Sequence, residues 1–317
     1  MSDRDNTPMW EIHRTDCFDW MRACPTNSFT AIVTDPPYSL EDFSRENLEK
    51  MKNGNGGLWR IPPSFDGHTR APLPRFTVFS TDHYKVMYKF FNEWATLAHR
   101  ILVPGGHIIM ATTPIFLPTV STAIANAGFE PRSIIVRLVQ TLRGGFRPKN
   151  AEVEFENVST MPRANWEPWT LLRKPIEENF TIAQNLRKWK AGGLRREPDG
   201  KPFPDVIPSG RTPRRERLIA PHPTLKPQSF MRRIARSVLP CEEGVILDPF
   251  CGAGSTLAAA ESLGYKSVGV EINEEYASVA QNAIPQLARL RINSSSIEKT
   301  IHKKGKFVEM TRLLVDE

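Results

Sequence analysis

Cysteine is scarce in this chain: there are four in 317 residues, Cys17, Cys24, Cys241 and Cys251, with no CxxC pair and no histidine at zinc-ligand spacing. That pattern argues against a disulfide framework and a metal site, and reduced thiols are the expected state. No apolar run reaches the roughly 18 residues that a membrane span needs. The N-terminal stretch MSDRDNTPMWEIHR lacks an apolar signal core, so a cytoplasmic protein without membrane contact is expected. No glycine turn is followed by GK[ST], so a phosphate-gripping P-loop is not supported. There is no internal repeat.

What is present suits a globular enzyme. Hydrophobic residues make up 40% and charged residues 24% of the chain, and the length suggests about two structural units at roughly 150 residues each. The formal net charge is +7, and residues 141–221 hold 16 Lys and Arg against 10 Asp and Glu, so most of the excess sits in one segment. There, basic residues alternate with Trp166, Trp169, Phe180, Trp189 and Phe203, a mixture that contacts phosphates and stacks on bases. A solvated loop surface is the alternative for any single one of these residues.

The most informative stretch is FTAIVTDPPYSL at 29–40. A short buried strand runs to Thr34 and is stopped by Asp35-Pro36-Pro37-Tyr38. Pro37 biases Pro36 towards an extended conformation, which leaves the Pro36 carbonyl without a ladder partner. The Asp35 carboxylate and that carbonyl are two acceptors beside an aromatic ring, a set suited to an exocyclic amino group on a flat heterocycle. Holding both N–H bonds would draw the nitrogen lone pair out of the ring and make it nucleophilic, while Tyr38 stacks on the ring.

A second signal lies at 245–271. A short strand leads into DPFCGAGST at 248–256, then an Ala-rich helix closed by Gly264, then a strand ending at Glu271. Glycines between strand and helix admit a ligand close to the backbone, and an acid at the end of the next strand is where a βαβ unit holds ribose hydroxyls. Asp248 ahead of the turn argues against a pyrophosphate and for a cationic ligand. Near the N-terminus another short strand, 10–15, ends at Asp16, which either lines the same sheet edge or caps the next helix.

Between these signals, helical spacing predicts helices over 82–102, 116–127 and 228–239. Strands are predicted at 107–112, 134–142 and 168–173, and a last helix from Asn273 to about 283, where Pro285 interrupts it. Alternation of strand and helix implies an α/β protein. Residues 41–76, rich in Gly, Pro and Asn, read as a lid over the site or as simple disorder, the lid being preferred.

DPPY at 35–38, DPFCGAGST at 248–256 and HPTLKP at 222–227 together resemble the motifs of the DNA amino-methyltransferases. Their order, with the catalytic motif first, resembles the beta subgroup. The resemblance implies a Rossmann-like fold dependent on S-adenosylmethionine, with a mostly parallel sheet and helices on both faces. It implies a catalytic half over 10–143, a target-recognition region over 144–221, a cofactor half over 222–291 and a tail over 292–317. It further implies catalysis at Asp35, Pro36, Pro37 and Tyr38. The cofactor would be held by Asp16, Cys17, Lys226, Asp248, Phe250, Gly252, Gly254, Ser255, Thr256 and Glu271. Lys226 and Thr256 would meet its methionine end, Glu271 its ribose and Asp16 its adenine, although Thr15 stands where the family commonly has Gly. The implied partner is double-stranded DNA, and a homodimer is what the family likeness suggests. Asp at the first motif position favours the adenine 6-amino group, with the cytosine 4-amino group as the alternative. An RNA or protein methyltransferase, and a binding protein without catalysis, are more distant readings.

Overall fold

The computed structural model describes residues 8–37, 59–60, 73–74, 81–139, 145, 147–148, 150–222 and 224–292. Its strands are β1 (Trp10–His13), β2 (Phe29–Thr34), β3 (Trp59–Arg60), β4 (Leu73–Pro74), β5 (Leu102–Ala111), β6 (Glu130–Leu138), β7 (Trp166–Arg173), β8 (Val206–Pro208), β9 (Val245–Asp248) and β10 (Lys266–Val270). Among the described residues β3 and β4 pair only with each other. The remaining eight form one sheet in the order β1-β10-β9-β2-β5-β7-β6-β8. Only β7 opposes its neighbours in direction, so the sheet is mostly parallel, as the sequence implied.

Hydrophobic alternation explains the layers. In β2 and β5, Ile32, Ile108 and Met110 point to one face, while Ala31, Val33, Ile109 and Ala111 point to the other. The first face is covered by α1 (Cys17–Ala23), α2 (Thr81–Ile101) and α3 (Leu117–Asn126). In α2 the buried residues Met87, Phe91, Trp94, Ala98 and Ile101 recur at three- and four-residue intervals and form one stripe. α4 (Ile182–Trp189) and α5 (Arg214–Ile219) lie in the basic segment. The second face is covered by α6 (Gln228–Val238) and α7 (Ser255–Leu263), and α8 (Glu274–Arg289) packs on α7 through Ile284 and Leu287. Burying a side chain of this size contributes about 1.5–3 kcal/mol relative to exposure.

This layering makes a crevice. From β2 the chain crosses through α2 to β5 on one side, whereas from β9 it crosses through α7 to β10 on the other. β2 and β9 are neighbours, with Ala31 beside Ile246 and Ile32 beside Leu247. Strand order therefore reverses between them, which is where open α/β sheets bind ligands, at the carboxyl ends.

Several boundaries differ from the sequence expectation. Pro104-Gly105-Gly106 does not separate helix from strand, because β5 begins at Leu102 immediately after α2. The extra residues are absorbed where the β2–β5 register shifts, with Gly105 at φ +79°. β6 begins at Glu130, four residues before its predicted start. α8 continues through Pro285 to Arg289, since burial of Ile284 and Leu287 outweighs the lost backbone bond.

The basic segment is also more ordered than its composition suggests. A Thr181–Gln184 capping box starts α4, and Asn185 Nδ2 donates to Pro104 O at 2.9 Å, which ties α4 to the amino edge of the sheet. β8 then brings the chain back to the carboxyl edge. Most of the lid expected at 41–76, all but β3 and β4, and most of the 292–317 tail lie outside the described residues. Among the described residues no helix is long and apolar enough to cross a membrane.

Replacing Leu287 by Ala, two residues beyond the proline, is expected to cost roughly 2–5 kcal/mol in urea denaturation. A loss below about 0.5 kcal/mol, ordinary for an exposed site, would show that the last turn of α8 does not pack.

Candidate active site

The carboxyl edge of the sheet carries a row of acids. Asp16 follows β1, Glu271 follows β10, Asp248 ends β9 and Asp35 follows β2, so sheet order sets them side by side. Asp16 caps α1 by accepting from the Phe18 and Asp19 N–H groups at 2.8 and 3.2 Å, so both readings of that residue coexist. Glu271 N–H donates to His13 O at 3.0 Å and joins the tips of β1 and β10.

At the crevice, Thr34 Oγ1 donates to Asp248 Oδ1 at 2.7 Å across 214 positions of sequence. The Phe250 N–H donates to the same oxygen at 3.2 Å. Burial pushes the Asp248 carboxyl up from 3.8 to about 6; hydrogen bonds from Thr256, Thr34 and the Phe250 N–H oppose the rise, and the Asp35 charge adds to it. Pro36 is buried and Pro37 half-buried. Tyr38 lies outside the described residues.

Lys226 does not stand beside the glycine turn alone. Its Nζ donates to Asp35 Oδ2 at 2.6 Å and lies 3.5 Å from Glu167 Oε2. Glu167, on β7, also accepts from Trp169 Nε1 at 2.7 Å and from Arg137 at 3.3 Å. Arg137 is held in turn by Ser209 Oγ at 3.0 Å and Gly210 O at 2.8 Å. Burial pushes the Glu167 carboxyl up, and the Lys226 and Arg137 charges with the Trp169 N–H overcome it, holding the group below its ordinary value. The result is a buried chain of alternating charge: Arg137, Glu167, Lys226, Asp35.

The glycine turn faces this chain. Gly252 has φ +51°, and a Cβ there would come within 3.3 Å of His222 Nε2. Its N–H donates to Glu271 Oε2 at 2.9 Å, while Glu271 Oε1 accepts from the Asn273 N–H at 2.8 Å. Burial raises the Glu271 carboxyl. Gly254, at φ +81°, lies so close to Ile284 that a Cβ would approach to 2.6 Å; this glycine serves packing of α7 on α8. Phe250 is half-buried, its ring 6.3 Å from Trp94 and 6.4 Å from Phe90. Ser255 O accepts from Gln228 Nε2 at 2.9 Å. Burial and the Lys226 charge push His222 down to about 4, so its imidazole is neutral at pH 7. Burial pushes the Cys17 thiol up to about 12 and that of Cys251 well above its ordinary value, so both are inert packing groups.

One narrow cleft is therefore lined by Asp35, Lys226, Asp248, Phe250, Gly252 and His222. A larger concavity of about 540 Å³ lies on the outer face of α2 around Tyr88, Asn92 and Thr96, remote from this chemistry. Thr34, Arg137 and Glu167 were not singled out by sequence. Glu167 lies in NWEPW at 165–169, a lone acid between two tryptophans with no motif spacing to mark it.

Asp248 gives a pH signature. Its folded value lies above its unfolded value, so the neutral form is favoured by folding and its contribution to stability is lost as pH rises from about 4 to about 6. Asp248→Asn is expected to remove that slope and to leave the variant up to roughly 2–3 kcal/mol more stable than wild type at pH 8, with no difference near pH 3. Parallel stability curves for the two proteins would show that Asp248 binds its proton equally well in the folded and unfolded chains.

Comparison with known proteins gives a family. The model of a DNA methylase family, N6/N4 methyltransferases, matches residues 29–282. The type II methyltransferase M.ScaI of Streptomyces caespitosus is 37% identical over 286 residues, covering 85% of this chain and 79% of that protein. Among solved structures, the PvuII cytosine-N4-specific DNA methyltransferase aligns with TM-score 0.55 at 12% identity, covering 93% of this chain and 94% of that one. A complex of M1.HpyAVI with S-adenosylmethionine aligns with TM-score 0.51 at 17% identity, covering 86% and 98%. At those identities the two structures carry the fold alone: an α/β methyltransferase sheet. With matched residues running from the start of β2 into α8 and enclosing both halves of the crevice, the chain belongs to the N6/N4 DNA methylase family.

Proposed function

We propose that this protein is a site-specific DNA methyltransferase that transfers a methyl group from S-adenosylmethionine to the 6-amino group of adenine in double-stranded DNA. One observation carries the reading: the Asp35-Pro36 corner and the glycine turn after Asp248 stand at the tips of adjacent strands, bridged by the 2.7 Å Thr34–Asp248 bond.

The residues fit that cofactor. Gly252 keeps clear the space beside His222 that a side chain would fill, and Asp248 and Glu271 supply carboxylates for a cation and for ribose hydroxyls. When bound, S-adenosylmethionine supplies a methyl group on a positively charged sulfur. The work of the protein is then to aim and expose the amine. A base inside a duplex is out of reach, so it is flipped into the cleft, with Tyr38 as stacking surface. Asp35 and the Pro36 carbonyl accept its two N–H bonds, localise the lone pair on nitrogen and point it at the methyl carbon. Asp35 takes the proton that the nitrogen sheds on methylation. Alignment in a dry cleft is worth several orders of magnitude in rate.

Asp at the first position of DPPY supports adenine, and the same pair of acceptors would also hold the 4-amino group of cytosine. Of the basic residues, those of α5, Arg214, Arg215 and Arg217, are exposed and follow β8 out of the carboxyl edge. Arg187 and Lys188 of α4 are at the opposite edge. DNA is therefore assigned to the α5 side.

Expression in a host free of DNA methylation, followed by single-molecule sequencing, is expected to reveal 6-methyladenine in one fixed sequence context. 4-Methylcytosine instead would transfer the reading to cytosine, and an unmodified genome would overturn it. Asp35→Ala is expected to reduce methyl transfer by at least about a thousandfold while calorimetric affinity for S-adenosylmethionine changes less than about threefold. Reversing Arg214 and Arg217 to Glu is expected to weaken DNA binding and flatten its salt dependence. The same reversal at Arg187 and Lys188 is expected to change neither, and the opposite result would move the DNA to the amino edge.

A further inference from the structure

We propose that Lys226 is a stand-in guest on Asp35, and that Glu167 is the second seat to which its ammonium retreats when the target amine arrives. The inference rests on the methyltransferase reading and adds to it a positioning residue, Glu167.

The geometry sets the problem. Asp35 Oδ2 already accepts a donor, Lys226 Nζ, at 2.6 Å, so an amine that uses this oxygen competes with an ammonium for it. Lys226, Asp35 and Glu167 have side chains only 7%, 17% and 14% exposed. An ammonium displaced into such a site with no partner would cost more than a neutral amine's hydrogen bond returns. Glu167 removes that cost. Its Oε2 lies 3.5 Å from Nζ, within reach of a small side-chain rotation, and its carboxylate is held in place by Trp169 and Arg137. Arg137 cannot follow Lys226, because Ser209 and Gly210 hold it and its guanidinium lies 5.3 Å over the Phe230 ring. The carboxylate of Glu167 thus waits, preorganised, 3.5 Å from the ammonium that Asp35 holds.

Shifting Lys226 from Asp35 to Glu167 moves no proton and keeps the ammonium on a carboxylate, while the amine replaces its charge on Asp35 with hydrogen bonds. Both carboxylates stay ionised, one facing the ammonium and the other freed for the amine. In the absence of DNA the same lysine keeps Asp35 from standing as a naked buried anion. The seat is filled until a better-shaped guest displaces it.

Two measurements test this. The first is single-turnover methyl transfer to DNA from a methylation-free host, with radiolabelled S-adenosylmethionine. Glu167→Gln takes from Lys226 the carboxylate to which its ammonium would move, and is expected to slow transfer on the order of tenfold to a hundredfold with unchanged affinity for S-adenosylmethionine. In a Lys226→Met background the same substitution is expected to change the rate less than about twofold. Glu167→Asp, which keeps the charge, is expected to recover part of the rate. An equal slowing with and without Lys226 would make Glu167 a structural support of Arg137 and Trp169 and overturn the proposal.

The second measurement needs no catalysis. A urea-denaturation double-mutant cycle between Lys226→Met and Glu167→Gln is expected to show stronger coupling in an Asp35→Asn background than with Asp35 present, because the ammonium then rests on Glu167. Equal coupling in both backgrounds would overturn the exchange. Failure of wild-type protein to methylate any DNA would refute the methyltransferase reading, whatever this cycle shows.

Discussion

The pairing of β2 with β9 is the constraint on which the site depends. Two short strands that are far apart in the chain lie side by side with Ala31 beside Ile246 and Ile32 beside Leu247. That register decides where each strand ends relative to the other. Thr34 and Asp248 meet at 2.7 Å, so the two chemical corners are fixed by backbone hydrogen bonds and by a completely buried strand. A slip of one residue would turn every β2 side chain to the opposite layer, exchanging Ile32 with Ala31 and Val33. The core therefore specifies the register, and the register positions the chemistry.

Buried charge is the second theme. Isolated ionised groups are costly away from water, yet the cleft holds Asp35, Lys226, Glu167 and Arg137 in a continuous run. Each charge has an opposite neighbour; Arg137, at one end, is tied to Ser209 and Gly210, and Glu167, within the run, to the Trp169 indole. Asp248, which among the described residues is met by hydroxyl and N–H donors, responds differently: its carboxyl is pushed up to about 6. Glu167 and Asp248 thus have unlike affinities for a proton, and the difference follows from the Lys226 and Arg137 charges that face Glu167. Unlike environments for paired titratable groups are a common mark of a functional site.

The basic segment shows why net charge is a blunt guide. Its excess of positive residues divides between two edges of the sheet. Arg173 is spent on an ion pair with Glu130, Arg195 pairs with Glu242, and Lys188 of α4 pairs with Glu177. The exposed arginines of α5 remain on the carboxyl edge. Composition counts all of these alike; the path of the chain through α4 and β8 separates them.

The sequence alone determined the fold class and both corners of the cleft. Asp35-Pro36-Pro37 stops a β-branched strand because proline cannot continue the ladder, and a glycine turn between a β9-like strand and an Ala-rich helix has few other uses. These are local rules, satisfied within a few residues of chain. It could not announce that α8 runs through Pro285, since the compensation comes from Leu287 buried against another helix. Nor could it place Lys226 on Asp35 or bring Glu167 to Lys226. Those contacts join residues on β7, after β2 and before α6, and no periodicity links their positions. Only the order in which the strands assemble decides which charges meet.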